Sequence, residues 1–433
     1  MTPGARLQAS IDILADIERT RHPADRIFDG WSRANRYAGS KDRAAISELV
    51  YAVLRHRAEL GFAVNGDTPR LLALAASHLL DAKPLDELAA LCSGDNHAPQ
   101  PLSEAEALSL SVASRPGPDS PARIRCNYPA WLEEELIAAF GDRLEIEMAA
   151  LLERAPTDLR VNALRATRAE AIAMLAQEGV SVAPTPLAPQ GLRLQARANL
   201  PALNAYREGL IEVQDEGSQL ACLVSGVKPG EQVLDLCAGG GGKTLALAAT
   251  MNNRGQIYAC DLDARRLDKL MPRAQRAGAR NVQTRPLAPL VAGAPDPSLT
   301  ELNGRMDCVV VDAPCSGTGA WRRSPDARWR LTPEILATYH AAQAEVLARA
   351  APLVKPGGRL VYITCSLLPS ENDAPLADFL TAHADFAPRD WHDFWPEGVA
   401  QPKAPKGFAL RLTPARSGTD GFFIAILQRA SGK

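Results

Sequence analysis

Two cysteines occupy positions where a thiol can do chemistry. Cys315 follows the apolar run DCVVVD in the segment APCSGTG, and Cys365 closes the run RLVYITC, so both stand at the carboxyl ends of expected strands. In sheets built of parallel strands, ligand chemistry collects at those ends. A thiolate there can add to an unsaturated ring carbon, making the neighbouring carbon electron-rich enough to attack an electrophile. Undoing the addition needs a proton acceptor, and Asp312 is close enough in sequence to share that task with Cys315. The bland reading of any one cysteine is a small buried hydrophobe, and Cys92, Cys126, Cys222, Cys260 and Cys308 receive it. A redox pair is disfavoured because no C-x-x-C motif exists, and a metal pair because further ligands are lacking.

A second constellation precedes these. The strand-like QVLDL runs into CAGGGGKT and then a helical pattern, which lets glycine N–H groups and a helix N-terminus approach a ligand closely. A Walker A loop would need glycine where this chain has Cys237, and Asp235 before the turn would repel phosphates. A carboxylate there suits a cationic, phosphate-free ligand. The next strand ends in Asp261, the position from which an acid reaches ribose hydroxyls, with Asp263 as a substitute. The bland alternatives are a glycine turn made for packing and, for Cys237, a small buried side chain.

The elements that must position these residues alternate. From about Gly217 the order is QVLDL, GKTLALAATM, QIYACD, ARRLDKLMPRAQRAG, DCVVVD, PEILATYHAAQAEVLARAAPLV and RLVYITC, which predicts an α/β fold with a doubly wound parallel sheet. GFFIAILQR reads as a last strand, antiparallel at one side. Upstream, Ile11, Ile13, Leu14 and Ile17 recur at helical spacing, as do Ile46, Leu49, Val50, Val53 and Leu54, and no alternating strand appears before Ala113. The turn-rich SRPGPDSPARIRCNYP from Ser114 marks a boundary. Two helical patterns, WLEEELIAAFG and EIEMAALLERAP, then lead into LRVNAL, AEAIAMLAQEG and GLRLQA, a strand, helix and strand. The expected division is an all-α domain over 1–120, a small α+β connector over 121–204 and the doubly wound domain over 205–433. LAPLVAGAPDPS from Leu287 is expected to be an exposed loop.

Composition sets outer limits. The 433 residues are 46% hydrophobic and 23% charged, ordinary for globular domains, and the net charge of -2 means that a nucleic-acid partner must be held by a local basic patch. The richest apolar stretch, LVYAVLRHRAELGFAV, is broken by Arg55, His56, Arg57 and Glu59, so no membrane span is expected. The eight cysteines are scattered and no basic-then-apolar leader opens the chain, which predicts a reducing, cytoplasmic location. The seven histidines do not cluster with cysteines, so no metal is expected.

VLDLCAGGGGKT, VVVDAPCSGTG and YITCS, in this order and spacing, resemble the RNA 5-methylcytosine methyltransferases of the Fmu/Sun (NOL1/NOP2) type. The likeness extends to VQDEGSQL, RRSPDARWRLTPE and LRLTPARSGTDGFFIAIL, and covers roughly the second half of the chain. It implies a Rossmann-like methyltransferase sheet, S-adenosylmethionine as cofactor and an RNA substrate. It also implies a nucleophile at Cys365, a product-releasing cysteine at Cys315 and a cytosine-binding carboxylate at Asp312, which also borders the cofactor. Cofactor contacts are implied for Cys237, Ala238, Gly239, Gly240, Gly241, Gly242, Lys243 and Asp261. Where the family places an acid beside adenine, this chain has Arg285, Pro286 and Leu287, and no adenine contact is assigned.

The segment WRRSPDARWR sets Arg322, Arg323 and Arg328 beside Trp321, cations for phosphates and an aromatic for bases. The alternative is a solvated basic loop with tryptophans packed beneath it. SKDRAAISELVYAVLRH from Ser40 resembles a NusB-like RNA-binding domain, which points to small-subunit ribosomal RNA, with transfer RNA as the rival substrate. A non-catalytic RNA-binding assembly factor is the reading from a different class, and a monomer is expected.

Overall fold

The computed structural model describes residues 1–289 and 297–432, so most of the expected Leu287–Ser298 loop lies outside the described residues. The chain divides into two compact units: residues 1–154 with 321–333, and residues 155–320 with 334–433.

The first unit is helical. Helices Pro3–Thr20, Ser40–Arg55 and Pro69–Leu79 bury one face each, and Ile13, Leu14, Ile46, Val50, Val53 and Leu74 meet in its core. Ile17 joins them, whereas Leu49 is only partly buried. Glu133–Phe140 ends at Gly141, which takes a positive φ of 51°, and Leu144–Leu152 comes next.

The second unit holds two sheets. The smaller has strands β1 (Asp158–Val161), β2 (Val182–Pro184), β3 (Gly191–Leu194) and β4 (Ile211–Val213) in the order β2-β3-β1-β4, all antiparallel. The expected connector of 121–204 is divided differently by this clustering. Its first two helices cluster with the helical unit, and its sheet includes β4, which pairs with β1 on the side opposite β3.

The larger sheet comprises β5 (Gln232–Asp235), β6 (Gln256–Asp261), β7 (Val282–Pro286), β8 (Met306–Asp312), β9 (Val354–Thr364), β10 (Phe386–Arg389), β11 (Leu410–Leu412) and β12 (Phe422–Arg429). Its order is β10-β12-β9-β8-β5-β6-β7, with β11 on β12. The strands from β7 to β9 are parallel, and their apolar runs are covered on both faces, as Val309, Val310 and Val311 show. β12 is antiparallel but lies inside the sheet, between β9 and β10. The single helix expected over ARRLDKLMPRAQRAG is two, Ala264–Leu267 and Leu270–Ala277. Pro272 lacks an N–H and its ring would strike the carbonyl of Asp268, so the helix breaks there.

Candidate active site

Chain order reverses between β5 and β8, where a doubly wound sheet opens a crevice at its carboxyl edge. A cavity of about 470 Å³ lies there, lined by Cys237, Asp261, Leu262, Asp263, Leu287, Asp312, Cys315, Val346, Arg349 and Cys365 among others. Each functional side chain comes from the first residues past a strand: Cys237 after β5, Asp261 at the end of β6, Asp312 at the end of β8, Cys315 just beyond it and Cys365 immediately after β9.

The glycine loop is a tight turn. Gly239 and Gly241 have positive φ values of 54° and 85°, and a Cβ on Gly241 would sit 2.6 Å from Leu270 Cγ. Asp261 holds the turn through its two oxygens, which accept the backbone N–H of Gly239 and of Asp263, each at 2.9 Å. Beneath the turn Asp235 is fully buried. Its Oδ2 accepts the Thr244 hydroxyl at 2.6 Å, its Oδ1 has no partner, and burial lifts its pKa to about 7.

The helix Gly242–Thr250 starts from this loop, and Lys243 in its first turn reaches the Asp312 carboxylate, with Nζ 2.6 Å from Oδ2 and 5.6 Å from the Phe422 ring centre. Burial works against the lysine's charge, but Asp312 outweighs it and raises the pKa above the ordinary lysine value. A permanent cation thus fixes the orientation of Asp312.

The two thiols meet. Cys315 Sγ lies 3.5 Å from Cys365 Sγ, and both are partly exposed. The hydrogen bond with Cys365 and burial push Cys315 well above the usual thiol pKa, so at neutral pH Cys315 keeps its proton and can donate it towards Cys365. The five cysteines read as packing residues, Cys92, Cys126, Cys222, Cys260 and Cys308, are all buried.

Cys237, Asp261, Asp312, Cys315 and Cys365 therefore share one cavity, while Ala238, Gly239, Gly240, Gly241 and Gly242 form the turn after Cys237 and Lys243 pairs with Asp312. The basic segment does something else. Trp321 and Arg328 are fully buried, and Arg322 nearly so. The Arg328 guanidinium stands 4.7 Å from the Trp321 ring and donates to Asn127 O at 2.7 Å, while Trp329 Nε1 donates to Leu54 O at 2.6 Å. The expectation that Trp321, Arg322 and Arg328 hold RNA is corrected accordingly, because residues 321–333 pack into the helical unit; of the four, Arg323 alone is partly exposed. Leu262, Leu287, Val346 and Arg349 in the cavity wall were not expected, and Leu287 stands where the adenine contact was left open. The last two project from helix Pro333–Ala350, whose sequence gives no local sign of a ligand.

A doubly wound sheet with a glycine turn, an acid ending the next strand and paired thiols at the carboxyl edge has the layout of a site for a nucleoside cofactor. The model of the 16S rRNA methyltransferase RsmB/F family matches residues 223–428, and that of the RsmF/B-like ferredoxin-like domain matches residues 128–200. The second match starts among helices that cluster with the helical unit and ends before β4.

The chain is 36% identical over 306 residues to the probable ribosomal RNA small subunit methyltransferase B of Synechocystis, covering 70% of this chain and 67% of the relative. It is 31% identical over 407 residues to ribosomal RNA small subunit methyltransferase B of Xanthomonas campestris, covering 90% of each. Among solved structures, PH0851 superposes with a TM-score of 0.75 at 27% identity over 99% of both chains. NSun6 from Pyrococcus horikoshii with SFG, at 20% identity and a TM-score of 0.59 over 70% of this chain and 99% of its own, shares the fold.

The chain belongs to the RsmB/F family of 16S rRNA methyltransferases. Its cofactor is S-adenosylmethionine. The cavity fits that group: Asp261, Asp263 and Asp312 suit a ligand with cationic centres and hydroxyls, Leu262 and Leu287 suit an apolar ring face, and the turn at Gly241 has no room for a side chain. Among the described residues no helix is long and apolar enough to cross a membrane.

Proposed function

We propose that the protein methylates carbon 5 of a cytosine in small-subunit ribosomal RNA through a covalent adduct with Cys365. The observation that carries this reading is the 3.5 Å approach of Cys315 and Cys365 inside the cavity that also holds Asp261 and Asp312. Carbon 5 of cytosine is a poor nucleophile on its own. Addition of the Cys365 thiolate to carbon 6 forms the C–S bond and moves the ring's electron pair onto carbon 5. When bound, S-adenosylmethionine would supply an electrophilic methyl group, the S–CH3 bond breaking to leave a neutral thioether.

After carbon 5 has taken the methyl, its proton passes to Asp312, and the freed electron pair restores the ring double bond as Cys365 leaves. Cys315, a thiol at neutral pH, donates its S–H to the departing sulfur, while Lys243 keeps Asp312 turned towards the base. Cys237, the turn over Ala238, Gly239, Gly240, Gly241 and Gly242, and Asp261 hold the cofactor. RNA binding at the exposed edge of residues 321–333 falls to Arg323. The similarity to ribosomal RNA small subunit methyltransferases B supports the ribosomal substrate.

The test is methyl transfer from radiolabelled S-adenosylmethionine to unmodified ribosomal and transfer RNA in parallel, with nucleoside analysis of the product. Label in 5-methylcytosine of ribosomal RNA is expected. Label confined to transfer RNA overturns the substrate, and label in any other nucleoside overturns the chemistry.

A further inference from the structure

Behind the two thiols lies a carboxyl group to which the reaction above gives no task. Glu371 is in the first turn of helix Pro369–Ala382 and is fully buried. A buried carboxyl group is tolerated only where its oxygens are hydrogen-bonded, and both of these are. Oε1 accepts Ser316 N at 2.8 Å and Gln343 Nε2 at 3.0 Å, and Oε2 accepts the Ser316 hydroxyl and, at 2.5 Å, the Ser366 hydroxyl.

Ser316 is the residue after Cys315, and Ser366 the residue after Cys365. One side chain therefore grips both cysteine loops at the position next to each thiol. The hydrogen bonds joining β8 to β9 run out at Ala313 N to Ile363 O, 2.8 Å, before either cysteine is reached. Past that point the loops are joined by Gly319 N to Cys365 O at 2.9 Å, by Leu367 N to Thr318 Oγ1 at 2.7 Å, by the Ser366 hydroxyl 3.3 Å from that of Ser316 and 3.2 Å from that of Thr318, and by the shorter bonds of the Glu371 clamp.

We propose that Glu371 is a positioning residue, whose carboxyl group ties the Cys315 loop to the Cys365 loop through Ser316 and Ser366 and so keeps the two thiols within reach of one another and of one substrate carbon. The proposal deepens the two-cysteine reading and rests on it for its catalytic consequence. Misplacement of a reacting group by about 1 Å can cost about 100-fold in rate, so a clamp next to each sulfur is where such precision would be set. Glutamine can stand in: its oxygen accepts from Ser316 N and its amide donates to the serine oxygens. Alanine takes the acceptor from Ser316 N and leaves the serine hydroxyls only their longer contacts, 3.3 Å with each other and 3.2 Å from Ser366 to Thr318.

The test reads the thiols directly in the full-length protein. Dibromobimane fluoresces when it bridges two neighbouring thiols, and mass spectrometry locates the bridged peptides. In Glu371→Ala the bridging of Cys315 to Cys365 should slow by at least about tenfold, whereas Glu371→Gln should stay within about threefold of the parent. In the alanine variant kcat should fall by about 100-fold, with KM for RNA and S-adenosylmethionine within about twofold.

Unchanged bridging in a folded Glu371→Ala protein overturns the proposal. Should that variant not fold, the double variant Ser316→Ala, Ser366→Ala severs both hydroxyl ties and is expected to slow bridging likewise; unchanged bridging there also overturns it. A parent protein that bridges rapidly but transfers no methyl group to RNA refutes the proposed function while leaving the clamp intact.

Discussion

Lys243 Nζ sits 2.6 Å from Asp312 Oδ2, joining the helix behind the glycine turn to the strand end that precedes Cys315. The glycine-turn helix and the end of β8 are thereby locked together by one charged hydrogen bond. Because Asp312 raises the lysine pKa above its ordinary 10.5, the stabilisation is complete below that value and is lost only as pH rises through the higher folded value. Lys243→Met should cost about 1.5–3 kcal/mol at pH 8, read by urea unfolding, and the gap to the parent should narrow above pH 10.5.

The two cysteines separate by product. Cys365→Ala should lower methyl transfer by about 1,000-fold or more and yield no covalent RNA adduct, since the attacking sulfur is gone. Cys315→Ala should accumulate an adduct, because the departing thiolate loses its hydrogen-bond donor. A denaturing gel of each variant mixed with labelled RNA and S-adenosylmethionine decides; the reverse pattern exchanges the roles.

Asp235 gives a pH signature in stability. Its folded pKa of about 7 lies above the ordinary 3.8, so folding binds a proton between those values, and stability is highest at the acid end and declines as pH rises towards 7. Asp235→Asn keeps an acceptor for Thr244 and removes this decline. Thermal unfolding between pH 5 and pH 8 should show a flatter profile in the variant, and equal slopes would refute the assignment.

Gly241 tests the turn. With φ at 85° and Leu270 Cγ 2.6 Å from the position of an added Cβ, Gly241→Ala must distort the loop. Affinity for S-adenosylmethionine, measured by calorimetry, should fall at least about tenfold, corresponding to about 1.4 kcal/mol.

Trp321 and Arg323 should part company. Trp321→Ala removes a fully buried ring from beneath the Arg328 guanidinium and should cost about 3–5 kcal/mol, visible as a lower Tm. Arg323→Ala should leave Tm within a few degrees and reduce the salt dependence of RNA binding by about one phosphate contact. A change in salt slope from Trp321→Ala in its folded state, with none from Arg323→Ala, would restore the tryptophan as an RNA contact.

Much of this protein is legible along the chain because the decisive signals are local. Apolar runs such as VVV at 309–311 specify buried parallel strands, four glycines specify a turn, and the residues just past a parallel strand must emerge at the carboxyl edge of the sheet. Those signals are enough to place Cys237, Asp261, Asp312, Cys315 and Cys365 on one edge. Partnership is another matter, because it depends on residues distant in sequence. That β4 finishes the small sheet, that Arg328 is buried between Trp321 and Asn127, and that Leu287 and Val346 wall the cavity result from packing between distant segments. Only the tertiary structure set the two sulfurs 3.5 Å apart and brought Glu371 under both loops, because those contacts join segments whose local patterns carry no record of one another.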